Sequence, residues 1–392
     1  MKKNKFLKVT AVVLLILATA VVTRIYTVRS ILGSNENFGK VILLEKYMKE
    51  NYLYNKGIKE ENLEAGILKG LVAGLEDPYS QYLTKDEMKK LSEQTTGKFQ
   101  GIGVIISPAE DGTVTVVSPI KGSPADRAGL DSGDKILKIN GKDFSAEKID
   151  EASKEMRGEA GTSVKILLLK KDSLKTEEVE IKREEIKIDS VIKNKIGDYG
   201  YIGITMFDEE TGKDFKRVLN ELTEEGVKGI VLDMRGNPGG VVDAAYEIGD
   251  AILPKTSFVT LKNNKGEVIE DYKTDDKYND IKMVVLVNEG SASASEILAG
   301  AINDLDRAKI IGKKTYGKGV VQNVIGLPEG DGLKLTTSEY FTPSGDSINK
   351  LGIKPDIEVE IPEDAKGIGV DYLKTDSQLQ KALEVLKEKW EL

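Results

Sequence analysis

The sequence predicts a sectioned α/β protein, and three observations predict it. From Ile186 onward, short apolar strands alternate with helix-period segments, the pattern of a largely parallel sheet. Residues 97–185 form a run of short strands and glycine turns with two helical pieces. Residues 36–95 repeat apolar side chains at helical spacing. The 392 residues leave room for two or three domains. The expected sections are 1–30, an export or anchoring segment; 31–96, a helical region; 97–185, a β-rich domain; and 186–392, an α/β core.

Composition narrows the chemistry before any motif is read. The chain has no His and no Cys. That excludes a Ser-His-Asp triad, thiol nucleophiles, disulfides and thiolate metal sites. Acyl-transfer chemistry here needs a hydroxyl nucleophile and a base drawn from Lys, Asp, Glu or Tyr. No metal and no cofactor is expected. The net charge is −8, and the first thirty residues carry six basic side chains and no acid, so the remainder stands at −14. An acidic body argues against nucleic acid as a partner.

At the N-terminus, Lys2, Lys3, Lys5 and Lys8 precede an uncharged, mostly apolar stretch from Val9 to Thr23. This reads as an export signal or a membrane anchor. Its fifteen residues are short against the ~20 that span a bilayer, and Ile25 and Tyr26 would lengthen a tilted anchor. Ala18-Thr19-Ala20 offers a cleavage site, but Val21-Val22 continue the apolar run, so an uncleaved anchor with the body outside the cytoplasm is favoured.

Phe38, Val41, Leu43, Leu44 and Tyr47, and then Leu63, Ile67, Leu68 and Leu71, predict helices. Asp77-Pro78-Tyr79-Ser80 breaks them with turn chemistry, and Asp86 to Gln94 reads as another helix. This region is expected to pack or dimerise, without chemistry of its own. Gly101-Ile102-Gly103-Val104 then leads into a strand, and Thr113 to Val117 is another. Ser123-Pro124 opens a short helix with a serine cap and proline at its first position. Asp134 to Gly141 is a strand ending in an Asn-Gly turn. Ala146 to Met156 is a helix, and Val164–Leu169 and Glu177–Lys182 are closing strands. In the core, strands are expected at 200–204, 229–233, 257–261, 284–287, 308–312 and 332–340. Helices are expected at 211–221, 241–252, 296–302 and 378–390.

Two βα turns stand out. Asp233 is followed by Arg235-Gly236-Asn237-Pro238-Gly239-Gly240, and Val287 by Asn288-Glu289-Gly290-Ser291-Ala292-Ser293-Ala294-Ser295. Sites in open α/β sheets collect beyond the carboxyl ends of strands. Backbone N–H groups at helix starts favour an anion, which supplies an oxyanion hole without side chains. A phosphate cradle is disfavoured, because neither Gly-rich phosphate motif occurs. Small residues in a tight turn, with Ser295 as a helix cap, would be the plainer account. Lys318, in Gly317-Lys318-Gly319-Val320-Val321-Gln322, is the candidate base. On a strand, Lys318, Val320 and Gln322 would share one face. Desolvation there would lower the amine's pKa, and Gln322 could hold it. The Ser-x-x-Lys pattern occurs at Ser118, Ser132, Ser145, Ser190 and Ser347, but its companion motifs are absent, so a penicillin-recognising enzyme is rejected.

The β-rich section resembles a PDZ domain through Gly101-Ile102-Gly103-Val104, Ser123-Pro124-Ala125 with Ala128-Gly129-Leu130, and Gly133-Asp134 with Ile139-Asn140-Gly141. The resemblance implies that residues 101–104 form a carboxylate-binding loop beside a strand edge able to pair with a peptide. The whole chain after the anchor resembles the carboxyl-terminal processing peptidases, the tail-specific serine proteases. The resemblance rests on Asn288 to Ile297, Gly317 to Gln322, Asp233-x-Arg235-x-Asn237-Pro238-Gly239-Gly240 and Asp77-Pro78-Tyr79-Ser80-x-Tyr82. It implies Ser293 as nucleophile, Lys318 as general base, Gln322 as its support, and oxyanion donors at Ala294 and in Gly239-Gly240. It also implies a ClpP/crotonase-like core with an inserted PDZ domain and an N-terminal helical arm. The substrates would be proteins or peptides with free C-termini, and the assembly a homodimer. Residues alone do not separate Ser293 from Ser291 or Ser295. A non-catalytic PDZ scaffold and an acyl-CoA enzyme are the rival readings. Intact Ser293, Lys318 and Gln322 weigh against the first, and the export segment and PDZ domain against the second.

Overall fold

The computed structural model describes residues 36–388, together with 19 and 21–24. The expected anchor falls almost wholly outside these residues; among the described ones, no helix is long and apolar enough to cross a membrane. The chain divides into two compact units, Met1–Pro78 and Tyr79–Leu392. In the first, helices Glu36–Asn51 and Glu60–Ala73 are tied by Lys49, whose amine reaches Glu45 and Glu60 at 2.8 Å each.

The second unit is built on a six-stranded sheet ordered 191–196, 199–204, 230–233, 283–287, 309–312, 357–358. The first pair is antiparallel and the other neighbours are parallel. Its central strands read Ile230–Asp233 and Met283–Val287 and are buried throughout. Successive side chains face opposite layers. Leu232, Val285 and Val287 pack with helices 211–224, 242–252 and 294–304, through Phe215, Ile248 and Ile297 among others. Val231, Val284 and Leu286 pack with Leu379, Ala382 and Val385 of helix Ser377–Lys387. Burial on both faces is why these strands are continuously apolar instead of alternating.

Residues 104–182 form a separate antiparallel sheet with its own core of Val116, Ile136, Ile139 and Ile166. Ser123 caps helix Pro124–Arg127, and the Asn140-Gly141 turn has φ of 50° and 78°, as its residue types demand. Strand Val104–Pro108 lies at the sheet edge, beside helix Ile149–Met156. The module leaves the core by strand Lys98–Gly101 and returns by Glu184–Lys187, and these two pair antiparallel. The connection is therefore a two-stranded ribbon.

A second core sheet was not legible in the sequence. Strand Gly332–Phe341 pairs with Gln81–Leu83 and Ser257–Asn263, and also with Val320–Gly326; Ser257–Asn263 in turn pairs with Val268–Lys273. The expected helix 86–94 runs from Lys85 to Thr96 with a Thr84/Glu87 capping box.

Candidate active site

Parallel neighbours 230–233 and 283–287 deliver both turns to the same edge of the sheet. The two turns are stitched together through Asn237, whose side chain and backbone are fully buried. Its Nδ2 donates to the Ile204 carbonyl at 2.9 Å, and its Oδ1 accepts the Gly239 N–H at 2.9 Å. Its carbonyl accepts the Ala292 N–H and the Ser295 hydroxyl, each at 3.0 Å. Gly239 has φ of 99°, and a Cβ there would lie 2.8 Å from Ser293 Cβ and 2.9 Å from the Ala294 nitrogen. The glycine is thus required twice, by conformation and by the approach of the serine turn.

The three serines are not equivalent. The Ser291 hydroxyl donates to the Met234 carbonyl at 2.8 Å and the Ser295 hydroxyl to Asn237, and both side chains are fully buried. Ser293 is half-buried at the start of helix Ala294–Asp304, with φ of 54° and ψ of −113°. Side chains other than glycine rarely hold this conformation, and such strain concentrates at functional sites. A serine on a sharp strand-to-helix turn presents its hydroxyl clear of the backbone.

One buried carboxylate, Glu296, joins the serine turn to the lysine loop. It accepts the Ser293 N–H at 2.9 Å and the Lys318 N–H at 2.8 Å on one oxygen. It accepts the Thr315 hydroxyl at 2.6 Å and the Gly317 N–H at 2.7 Å on the other. Tyr340 closes the arrangement from the second sheet. Its hydroxyl donates to the Lys318 carbonyl at 2.5 Å and lies 3.3 Å from the Ser293 carbonyl. Burial, first, and the nearby Glu296 charge push the Tyr340 phenol far above its ordinary range, so it remains a neutral donor. Neither residue was singled out in the sequence. The Ser293-x-x-Glu296 spacing at a helix start, a capping-box pattern, is the signal that could have found Glu296.

Lys318 departs from the sequence expectation in one respect. It lies in an irregular loop, and the strand begins only at Val320. The ladder then slips between Val321 and Gln322, so that Val321 faces Ser338 while Gln322 faces Thr336. The extra residue of this bulge, Thr337, lies on the partner strand, so Val320 and Gln322 keep their alternation and only Lys318, outside the strand, loses the expected face. Gln322 Nε2 donates to Thr336 Oγ1 at 3.2 Å.

The turn 234–240 is braced from beneath. The fully buried Arg235 guanidinium sits between Asp233, at 2.6 Å, and Asp376, at 2.8 Å. It also donates to Gln378 at 3.0 Å. Burial disfavours the Arg235 charge, but the two carboxylates outweigh it and raise its pKa. In the 104–182 module, Gly101 ends a strand, Ile102 is buried in the core, Gly103 has φ of 75° and Val104 opens the edge strand. Ser123 Oγ donates to the Gly103 carbonyl at 2.8 Å, which fixes the loop.

This fold is a parallel-sheet core carrying a peptide-binding type of β-module, with a strained serine on a helix start. Residues 198–359 match peptidase family S41 and residues 115–170 match a PDZ domain. A probable CtpA-like serine protease of Staphylococcus aureus (strain bovine RF122 / ET3-1) is 38% identical over 359 residues, which is 89% of this chain and 71% of the relative. A probable CtpA-like serine protease of Staphylococcus haemolyticus is 36% identical over 375 residues, 92% of this chain and 75% of the relative. A putative S41 protease from Bacteroides fragilis shares the fold, at 18% identity and a TM-score of 0.50, over 88% of this chain and 96% of that one. The chain belongs to peptidase family S41 and is a serine-type, carboxyl-terminal processing endopeptidase with a PDZ domain.

Proposed function

We propose that this peptidase cleaves proteins after recognising their C-terminal tails, using a Ser293–Lys318 dyad. The observation that carries the reading is the shared Glu296 carboxylate, which holds the backbone of a strained serine and the backbone of the lysine together. Ser293 Oγ attacks the scissile carbonyl carbon while its proton passes to the Lys318 amine. Lys318 then gives that proton to the leaving amine as the C–N bond breaks, and water hydrolyses the acyl-serine. The oxyanion falls to backbone donors. Ala294 N–H is one, at the first position of its helix. Gly239 N–H is already spent on Asn237, which favours Gly240 as the second. Gln322 supports the base from the adjoining strand.

The PDZ module, taken as residues 97–185, binds the tail between edge strand 104–108 and helix 149–156, with the 101–104 loop receiving the terminal carboxylate. The ribbon 98–101/184–187 suits a hinge through which tail binding gates a ClpP/crotonase-like core at 186–392. The N-terminal segment tethers the enzyme on the outer side of the membrane or directs its secretion. Exposed Leu43, Leu44 and Tyr47 in the helical region favour a homodimer.

The dyad is tested by purifying Ser293→Ala and Lys318→Ala and following cleavage of an unstructured fluorogenic peptide. Each is expected to abolish cleavage while the folded state survives. Full activity in either folded variant overturns the assignment.

A further inference from the structure

The Asp77-Pro78-Tyr79-Ser80-x-Tyr82 stretch offers no chemistry of its own in the sequence, yet its second half reaches the site. Gln81 pairs opposite Lys334 and Leu83 opposite Gly332, at the edge of the second sheet. Ser80 Oγ accepts the Thr336 N–H at 3.0 Å, and the Tyr82 hydroxyl donates to Asp331 at 2.5 Å. These bonds fix Tyr79, whose ring centroid lies 4.9 Å from Lys318 Nζ. Thr336 also takes the Gln322 amide. The Tyr79-Ser80 dipeptide therefore touches the amine directly and the strand that holds Gln322.

An aromatic face attracts an ammonium through its quadrupole and gives a neutral amine little. Lys318 is neutral when it accepts the Ser293 proton and cationic once it has done so. The ring therefore acts on charge that develops during the reaction, which is the part of binding that lowers a barrier. Other titratable groups surround the lysine, and substitutions at position 79 leave them in place. Glu296 is bonded to its N–H and Tyr340 to its carbonyl. Glu339, opposite Val320, accepts the Ser347 hydroxyl, and Lys350 donates its N–H to the Gly317 carbonyl.

We propose that Tyr79 is a positioning residue for the general base, its ring holding the Lys318 amine and stabilising the ammonium that forms as Ser293 Oγ loses its proton. This rests on Lys318 being the base. In that step the proton moves from Oγ to Nζ as the Oγ–carbonyl bond forms, and it later leaves with the departing amine.

The test is the pH dependence of kcat/KM for the full chain on a fluorogenic peptide. Four proteins are compared: wild type, Tyr79→Phe, Tyr79→Leu, and the chain carrying pentafluorophenylalanine at position 79. The fluorinated ring keeps the shape and removes the attraction for a cation. Tyr79→Phe is expected to keep the wild-type midpoint. The Leu and fluorinated forms are expected to move the acid-limb midpoint down by about 0.5–1 pH unit. Their plateau should fall by up to about three- to tenfold, the same interaction energy as the midpoint shift, in kcat more than in KM. A uniform loss at every pH with an unmoved midpoint overturns the proposal and leaves Tyr79 as packing. If Tyr79→Leu does not fold, the fluorinated protein decides. Retained activity in Lys318→Ala would instead overturn the assignment of the base, a separate failure.

Discussion

Glu296→Gln tests whether a single carboxylate organises the site. The wild-type side chain accepts four donors at 2.6–2.9 Å, two on each oxygen. Glutamine has the same shape but one acceptor oxygen, and its NH2 must face two of those donors. The least costly orientation keeps oxygen toward Ser293 and Lys318 and turns NH2 toward Thr315 and Gly317. The Thr315 hydroxyl can rotate and accept, but the Gly317 N–H has no such freedom and stays unpaired. One unpaired buried N–H costs about 1–3 kcal/mol, and the remaining bonds lose charge assistance, so the total is about 3–5 kcal/mol. Activity should fall further than stability requires, because misplacing reacting groups by ~1 Å costs about a hundredfold. Denaturant unfolding in a Ser293→Ala background, which avoids self-cleavage, measures the first quantity. Peptide kcat/KM measures the second. A variant within about 1 kcal/mol and about threefold of wild type would refute the role given to Glu296.

Two further outcomes follow from the turn 233–240 and its support. Gly239→Ala places a methyl 2.7 Å from the Ala292 carbonyl and 2.8 Å from Ser293 Cβ, at a φ of 99°. Cleavage should fall by about a hundredfold or more, while calorimetry finds unchanged binding of C-terminal peptides to the PDZ module; wild-type cleavage would show that the turns do not pack as described. Asp376→Asn leaves Arg235 with one carboxylate in a fully buried setting, which should cost about 3–5 kcal/mol at neutral pH. Burial raises the Asp376 pKa, but Arg235 and the Gly369 and Leu379 N–H groups outweigh it, so the folded carboxyl lies below its usual range. A depressed folded pKa gives stability that is present above the unfolded value, about 4, and lost as pH falls through the folded value. The gap between variant and wild type should therefore narrow below about pH 4 in denaturant titrations. An equal gap at neutral and acid pH would exclude this linkage.

Much of the fold could be read from local pattern. Ile230–Asp233 and Met283–Val287 are apolar runs of strand length bounded by glycine turns, and the helices after them follow the 3.6-residue period. The type of the β-rich module came from its resemblance to PDZ domains, carried by short glycine and serine motifs, and residues 115–170 match that family. Strand 320–326 and the second sheet were not legible in this way. Strands 257–261 and 332–340 were expected, but the pairing of 332–341 with both 81–83 and 257–263 joins distant segments, which no local period reports. The start of the strand at Val320, which leaves Lys318 in a loop, is likewise set by pairing with strand 332–341 and not by the local pattern around Lys318.

The sequence by itself determined the chemistry that was available. Without histidine or cysteine, acyl transfer needed a hydroxyl and a base drawn from Lys, Asp, Glu or Tyr, and two glycine turns at strand ends marked where a site could form. The tertiary structure decided which hydroxyl is distinctive and what surrounds the amine. Ser291 and Ser295 bond to carbonyls of the neighbouring turn, whereas Ser293 is held at positive φ by a helix start and a buried carboxylate. Tyr79 lies 239 positions before Lys318 in the chain yet stacks on its amine, because strand 81–83 docks on strand 332–341. Those facts depend on contacts between distant segments, whose energies exist only once the chain has folded.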